Sequence, residues 1–136
     1  MLQLTYISTA TPGMTEAMVG DILTVSRWNN AAAGVTGLLL YDGYRFLQAL
    51  EGDPAEVLAT FTRVKADPRH RAVVLLSQAE VATRTFGDWA MAAQRTALAQ
   101  GSSLGELVDS LTVHVKDPNI QATFRSFARV RARLAA

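Results

Sequence analysis

The chain has 136 residues, 49% of them hydrophobic, and a formal net charge of +1 at pH 7. These values predict one globular domain and give no general reason to expect nucleic acid as a partner. The absence of cysteine excludes disulfides and thiolate zinc sites and favours a reducing, cytoplasmic location. No apolar stretch approaches the roughly 18 residues that span a bilayer, and the N-terminus lacks signal-peptide features, so we expect no membrane association.

The chain begins with a predicted strand and a long helix. Residues 2–8 (LQLTYIS) alternate so that apolar side chains and Tyr6 share one face. A helix is predicted over about 15–33, with a threonine as its N-cap and a glycine after its end. Its core-facing stripe includes two polar residues, Ser26 and Asn30, where apolar residues would be expected.

Residues 34–52 (GVTGLLLYDGYRFLQALEG) predict a β-hairpin with a two-residue turn at Asp42-Gly43. In its second strand Tyr44, Phe46, Gln48 and Leu50 are predicted to share a face, so Gln48 lies among apolar and aromatic side chains. A primary amide buried without partners costs roughly 1–3 kcal/mol. We therefore expect Gln48 to have a specific hydrogen-bond partner.

A second helix is predicted between the N-cap Asp53 and about Asp67, followed by strands at 72–81 and about 88–95. The apolar side chains that this helix is predicted to bury are Val57, Leu58, Phe61 and Val64. The resulting order, βαββαββ, predicts an α+β, ferredoxin-like sandwich with a five-stranded mixed sheet and two helices on one face.

Beyond Gly101 the apolar pattern becomes helical again, and it predicts C-terminal helices after the completed sandwich. These helices must cover either the open face of the sheet or a partner chain. Arg125, Arg129 and Arg133 lie off the apolar stripe that Ile120, Phe124, Phe127 and Leu134 form. We interpret them as a solvated helix face rather than a nucleic-acid site, because no aromatic residues are interleaved with them.

Three polar side chains are predicted to meet inside the sandwich, namely Tyr6, Asn30 and Gln48. In a ferredoxin-like order the strands carrying Tyr6 and Gln48 are central neighbours, and the first helix packs over the same face. One interpretation is a closed hydrogen-bond network among the three side chains. The other is a binding site for a flat heterocycle with alternating donors and acceptors, because two amides and a phenol supply both without charge.

Other kinds of site find little support in the sequence. His70 and His114 have no partners at metal-ligand spacing, so no metal site is expected. The sequence contains no glycine-rich phosphate loop and no arrangement typical of a hydrolase, so no catalytic residues are assigned. An acylphosphatase-like enzyme on this fold would need an arginine after the first strand, where the chain has ATPG at 10–13.

The sequence resembles the BLUF domains, which are flavin-based blue-light sensors, over residues 2 to about 96. The resemblance rests on six segments that occur in the family's order and spacing: YISTA (6–10), SRWNN (26–30), GVTGLLLY (34–41), FLQALEG (46–52), DPRH (67–70) and RTFGDWAM (84–91). It favours the ligand interpretation of the three polar side chains. It also implies a short, stand-alone type of the family, with a photosensor domain at 1–96 and a helical extension for output or oligomerisation at 97–136.

The resemblance implies a noncovalently bound flavin, FAD or alternatively FMN or riboflavin, between the two helices. Tyr6 would donate an electron and a proton under light, Gln48 would lie between this phenol and the flavin, and Asn30 would bind the polar edge of the ring. Trp89 and Met91 would carry the signal outward. Further residues at positions that line the family's pocket are Ser26, Asn29, Arg63, Asp67, Arg69 and His70.

The function implied is a photoreceptor without catalytic activity, in which rearrangement of Gln48 by rotation or tautomerisation gives a red-shifted signalling state. Output would then pass through contact with an unidentified effector protein or through a homo-oligomer. The alternative is a flavin- or metabolite-binding interaction module without photochemistry.

Overall fold

A computed structural model describes residues 1–41, 43–84, 92–95, 118–119, 121–123 and 125–127. Its elements are β1 (Leu2–Ala10), α1 (Glu16–Ala33), β2 (Thr36–Tyr41), β3 (Arg45–Gly52), α2 (Pro54–Ala66), β4 (His70–Glu80) and β5 (Ala92–Arg95). Within these residues the strands form one sheet in the order β4-β1-β3-β2-β5. Strand β5 runs parallel to β2, and the other neighbouring pairs are antiparallel. The predicted ferredoxin-like α+β fold is confirmed.

Both ends of helix α1 are capped as the sequence predicts. The Thr15 side chain accepts a hydrogen bond from the Met18 amide at 3.2 Å, which caps the first turn. At the other end Gly34 has a φ of 69°, a left-handed conformation that glycine adopts without strain. The amide of Val35 then bonds the carbonyl of Asn30 at 2.9 Å, a pattern typical of a Schellman motif. This closure fixes the last turn of α1, which carries Asn30.

The predicted two-residue turn of the hairpin is wrong. Such a turn would pair Tyr41 with Tyr44, whereas the observed register pairs Tyr41 with Phe46 and leaves residues 42–45 as the connection. The rings of Tyr41 and Phe46 stack with centroids 4.6 Å apart in the core, while Tyr44 is exposed. Burial of this aromatic pair therefore outweighs the local turn preference, and Asp42 itself lies outside the described residues.

Both faces of the central sheet are covered. The face under the helices holds the main core, to which β1, β2 and β3 contribute Leu4, Leu39 and Phe46, among others. On the opposite face Leu38, Leu40 and Leu47 are equally buried. Central strands buried on both sides are typical of a sheet with cover on each face.

Helix α2 buries a narrower face than predicted. Val57 and Phe61 are buried, but Leu58 is 43% exposed, so its predicted burial is wrong. Leu58 is one residue, and thus about 100°, away from Val57 around the helix. A helix that packs on a sheet from one side leaves that position towards solvent.

Strand β4 starts two residues earlier than predicted and lies at the edge of the sheet. Its register against β1 shifts twice, and Ala72 has a φ of 51°, which is uncommon for a residue with a Cβ. The side chains of Val74, Leu75 and Leu76 are about half exposed. Such irregularities twist an edge strand and are one way in which natural sheets limit edge-to-edge pairing.

Part of the C-terminal segment packs on the sheet face opposite the helices. Phe127 is buried, and the Arg45 guanidinium lies 5.1 Å from the centroid of its ring. The proposed signal residues Trp89 and Met91, and residues 97–117 of the predicted extension, lie outside the described residues. Among the residues described, no helix has both the length and the apolar character needed to cross a membrane.

Candidate functional site

Tyr6 and Gln48 form a buried hydrogen-bonded pair at the centre of the sheet. They lie directly opposite each other in the register of β1 and β3, and Tyr6 Oη donates to Gln48 Oε1. Their exposed fractions are 1% and 3%. The predicted proximity of these two side chains is confirmed.

The surroundings of Tyr6 keep its phenol protonated. The Phe61 ring packs against it, with centroids 5.3 Å apart. Burial raises the pKa of Tyr6 well above its ordinary value of 10.0, and the nearby charge of Asp67 raises it further. At neutral pH the phenol is therefore a neutral donor to Gln48.

Asn30 differs from this pair because its amide donor is unsatisfied within the described protein. The residue is 1% exposed, and Nδ2 makes no hydrogen bond. A buried polar group without a partner costs roughly 1–3 kcal/mol, so such a group is usually matched to a ligand or water. A closed network among Tyr6, Gln48 and Asn30 therefore does not account for Nδ2, and the ligand interpretation is the better explanation.

Asn30 borders a cavity of about 210 Å³ between α1 and α2. Seven of the nine residues predicted to contact flavin line this cavity: Ser26, Asn29, Asn30, Arg63, Asp67, Arg69 and His70. Tyr6 and Gln48 do not line it. As residues of the sheet that the helices cover, they belong to the layer beneath.

Four further lining residues were missed from the sequence, namely Ile22, Val25, Thr60 and Val64. Ile22 and Ser26 are four residues apart on α1, and Thr60 and Val64 have the same spacing on α2. Residues at this spacing lie on the same face of a helix. The signal that could have identified them is therefore their helical periodicity with the polar residues that were predicted.

One end of the cavity is charged and tightly hydrogen-bonded. The Arg69 guanidinium donates to both carboxylate oxygens of Asp67, with an ion-pair distance of 2.7 Å. The hydrogen bond from Arg69 lowers the pKa of Asp67, and the same bond raises the pKa of Arg69. Both side chains therefore keep their charges at neutral pH, and Arg69 is held in a defined orientation.

His70 also lines the cavity, as a neutral group. Its Nδ1 shares a hydrogen bond of 2.8 Å with Ser8 Oγ, and its ring packs against Phe46. Burial lowers the pKa of His70 below its ordinary value of 6.5, although the charge of Asp67 partly opposes the shift. The imidazole therefore contributes shape and hydrogen bonds at neutral pH rather than a positive charge.

Arg63 supplies a second cation at the cavity. Its Nη2 donates to Thr60 Oγ1 at 3.2 Å, and within the described residues no carboxylate pairs with it. Arg69 is already neutralised by Asp67, so Arg63 is the better candidate to bind an anionic group.

The donor set fits a flavin nucleotide. The unsatisfied amide of Asn30 matches a ring edge rich in carbonyl groups, and Arg63 matches a phosphate. The cavity is smaller than the roughly 300–1,000 Å³ that encloses drug-sized ligands, so only part of a molecule such as FAD would be enclosed. Among the described residues no cluster of three or more histidine or acidic side chains could hold a metal ion.

The known proteins to which this chain is similar are blue-light sensors, in agreement with a flavin site. A family model described as "BLUF: Sensors of blue-light using FAD" matches residues 1–92. Photoactivated adenylate cyclase subunit beta of Euglena longa is 34% identical over 89 residues, which are 65% of this chain and 10% of that protein. The blue light- and temperature-regulated antirepressor BluF of Escherichia coli K12 is 30% identical over 106 residues, which are 78% of this chain and 23% of that protein.

A solved structure described as BlrP1 BLUF has the same fold. It superposes with a TM-score of 0.78 at 26% identity, covering 99% of this chain and 92% of the other. This chain therefore corresponds to a small part of the curated relatives and to nearly the whole of a solved sensor domain. On the family match over residues 1–92, the chain belongs to the BLUF family, the blue-light sensors that use FAD.

Proposed function

We propose that Tyr6 and Gln48 are the photoactive pair of this sensor and that Asn30 binds the flavin ring. The observation that carries the proposal is the buried hydrogen bond from Tyr6 Oη to Gln48 Oε1, under a cavity lined by Asn30, whose Nδ2 is unsatisfied. An enclosed phenol and amide beside a flavin pocket are suited to redox and hydrogen-bond chemistry. They are poorly suited to hydrolysis, which would need an activated nucleophile.

Flavin bound in the cavity would absorb blue light and act, when excited, as a strong one-electron oxidant. Tyr6 is a suitable donor because its side chain can release an electron together with its phenolic proton. That proton would leave Oη along the existing hydrogen bond towards Gln48 Oε1. The raised pKa of Tyr6 ensures that the proton is present at neutral pH before illumination.

Gln48 provides the switch because its amide has an acceptor oxygen and a donor nitrogen at one end. In the described state Oε1 accepts from Tyr6. Rotation or tautomerisation would reverse the pattern of donors and acceptors, and return of the electron and proton to Tyr6 would leave that reversal as the lasting change. A carboxylate or an ammonium at position 48 offers no comparable reversal.

The charged end of the cavity would hold the remainder of the nucleotide. We assign Arg63 to the phosphate, with Arg69 held in place by Asp67 and with Ser26, Asn29 and His70 lining the cavity. FAD is the family's cofactor. FMN and riboflavin share its ring, so the residues proposed to contact the ring suit all three.

We further propose that residues 1–96 form the sensor domain and that residues 97–136 pass the signal on, with Trp89 and Met91 as the relay. The described part of this extension packs on the sheet through Phe127, which supports a connection between the two regions. The proposed output is binding to an effector protein or a change in homo-oligomerisation, in the cytoplasm. We assign no catalytic activity to the chain, although relatives that are larger proteins include adenylate cyclases.

The experiment is to record the visible spectrum of the purified chain, loaded with FAD, before and after blue illumination. We expect a yellow protein whose absorption shifts slightly to the red and recovers in the dark. A colourless sample after incubation with excess FAD would refute flavin binding, and a yellow but unresponsive sample would favour the non-photochemical module. Cyclase and phosphatase turnover, assayed in light and dark, should both be absent.

A further inference from the structure

The sheet face opposite the cavity holds a buried polar chain that the proposed photochemistry does not use. Gln3 on β1, Glu51 on β3 and Thr36 on β2 are direct neighbours in the register of the three strands. Gln3 Nε2 donates to one carboxyl oxygen of Glu51 and Thr36 Oγ1 donates to the other, both at 3.2 Å. Glu51 is completely buried. Burying a carboxyl group costs free energy unless hydrogen-bond partners compensate for the lost water, so these donors are needed for Glu51 to be buried.

Arg84, four residues after the end of β4, extends this buried polar chain with hydrogen bonds from the protein surface. Its Nη1 donates to Thr36 Oγ1 at 2.7 Å and to the Glu51 carbonyl at 3.2 Å, and its Nη2 donates to the Gly34 carbonyl at 2.8 Å. The Thr36 hydroxyl thus accepts from the guanidinium and donates to the Glu51 carboxyl group. One cation therefore joins three points on two neighbouring segments, as the planar guanidinium fork permits.

The two carbonyls that Arg84 holds belong to the segments that carry the proposed flavin amides. Gly34 closes α1, and the neighbouring Val35 amide bonds the carbonyl of Asn30 at 2.9 Å. Glu51 follows Gln48 by three residues on β3. Arg84 itself directly precedes residues 85–91, which include Trp89 and Met91.

We propose that Arg84 is a positioning residue that clamps position 84 of the backbone to the end of α1 and the end of β3. This inference rests on the proposed function. A rearrangement at Gln48 and Asn30 reaches the backbone of their own segments, and the clamp passes it to position 84. The route runs through main-chain carbonyls, so it is separate from any side-chain relay through Trp89 and Met91.

Such a clamp is expected to affect the local coupling between segments more than the global stability of the fold. The Arg84 side chain is exposed, while two of its three hydrogen bonds, to Thr36 Oγ1 and to the Glu51 carbonyl, are part-buried. A guanidinium at the surface keeps part of its hydration, so these bonds contribute modestly to global stability. Lysine at this position keeps the charge but lacks the fork, so it cannot make all three contacts in the same geometry.

The first measurement is hydrogen exchange in the dark. In Arg84→Ala we expect the Val35 amide, which closes α1, to exchange about tenfold faster, as loss of one charge-assisted bond implies for local opening. Arg84→Lys should exchange at an intermediate rate. The matched control is Arg71→Ala, which removes an exposed arginine of β4 outside the polar chain and should leave this rate unchanged.

The second measurement compares hydrogen exchange in light and dark for peptides spanning 85–95, on flavin-loaded protein. Arg84→Ala should keep the light-induced red shift at the wild-type amplitude and lose most of the light-dependent exchange difference. Arg84→Lys should restore part of that difference. Thr36→Val, which keeps Arg84 but removes the hydroxyl of the polar chain, should give a partial loss.

Each outcome bears on the clamp. Unchanged Val35 exchange in Arg84→Ala would overturn it without reference to light. A retained exchange difference in residues 85–95 would overturn its role in transmission, and loss of the red shift would place Arg84 in the photochemical site instead. A wild-type chain that shows no red shift would refute the proposed function. If the wild-type red shift is normal, the contradicting results just named for Arg84→Ala refute only the clamp.

Discussion

Substitution Tyr6→Phe tests the photochemical proposal most directly, because it removes one hydroxyl and little else. The ring would still pack against Phe61, but the donor to Gln48 Oε1 would be gone. We expect the variant to bind flavin and to show no light-induced red shift, since phenylalanine supplies neither an accessible electron nor a phenolic proton.

The structural cost should be small enough to leave a folded protein. Loss of one buried hydrogen bond destabilises by about 1–2 kcal/mol, against a total of roughly 5–15 kcal/mol for a domain of ordinary stability. Tyr6 does not line the cavity. The dissociation constant for flavin should therefore change by less than about tenfold, which corresponds to about 1.4 kcal/mol.

The assay is the light-minus-dark difference spectrum of the variant, with flavin occupancy checked by absorbance and stability by urea denaturation. Tyr41→Phe is the matched control, because Tyr41 is also buried under the helices and stacks on Phe46 at 4.6 Å. The control should retain the red shift. A normal photocycle in Tyr6→Phe would refute the role given to the phenol.

Three further predictions concern the cavity and the fold. Asn30→Ala should weaken flavin binding by roughly ten- to a hundredfold, as expected for one or two lost ligand hydrogen bonds. It should not destabilise the flavin-free protein, because Nδ2 has no protein partner. Unchanged affinity in a flavin titration would argue against the assignment. Ala72→Gly should raise the free energy of unfolding by roughly 0.5–1 kcal/mol, because its φ of 51° suits glycine, and a lower urea midpoint would contradict this. Since burial lowers the pKa of His70 below 6.5, the unfolded chain binds a proton that the folded imidazole resists. The stability of flavin-free protein should therefore fall as the pH drops below 6.5, and His70→Gln should flatten that fall in urea titrations; an identical pH profile would refute the cause.

The sequence predicts those features that follow from local rules, or from local rules together with the strand order of the fold. The ends of α1 follow from Thr15 and Gly34, whose effects reach only one turn along the chain. The meeting of Tyr6 and Gln48 follows from strand order and side-chain alternation. The first rule needs only residues near the end of a helix, whereas the second also needs the ferredoxin-like strand order, which brings together residues 42 positions apart. Both predictions are confirmed.

Features decided by tertiary contacts could not be predicted in this way. The hairpin register depends on the stacking of Tyr41 and Phe46, which outweighs a good local turn sequence. The burial of Glu51 depends on donors that are 48 residues away at Gln3 and 15 residues away at Thr36. No periodic pattern within β3 distinguishes such a residue from a solvent-facing glutamate.

The position of β3 in the sheet limits the routes by which a conformational change at Gln48 can be transmitted. The strand is paired along its length with β1 on one side and β2 on the other, so local twisting would break ladder hydrogen bonds with both neighbours. A rearrangement of the amide must therefore pass either through side-chain contacts or along the strand to its ends. At the end that follows Gln48, Arg84 holds the carbonyl of Glu51. Loss of this contact should consequently affect transmission even where photochemistry is intact.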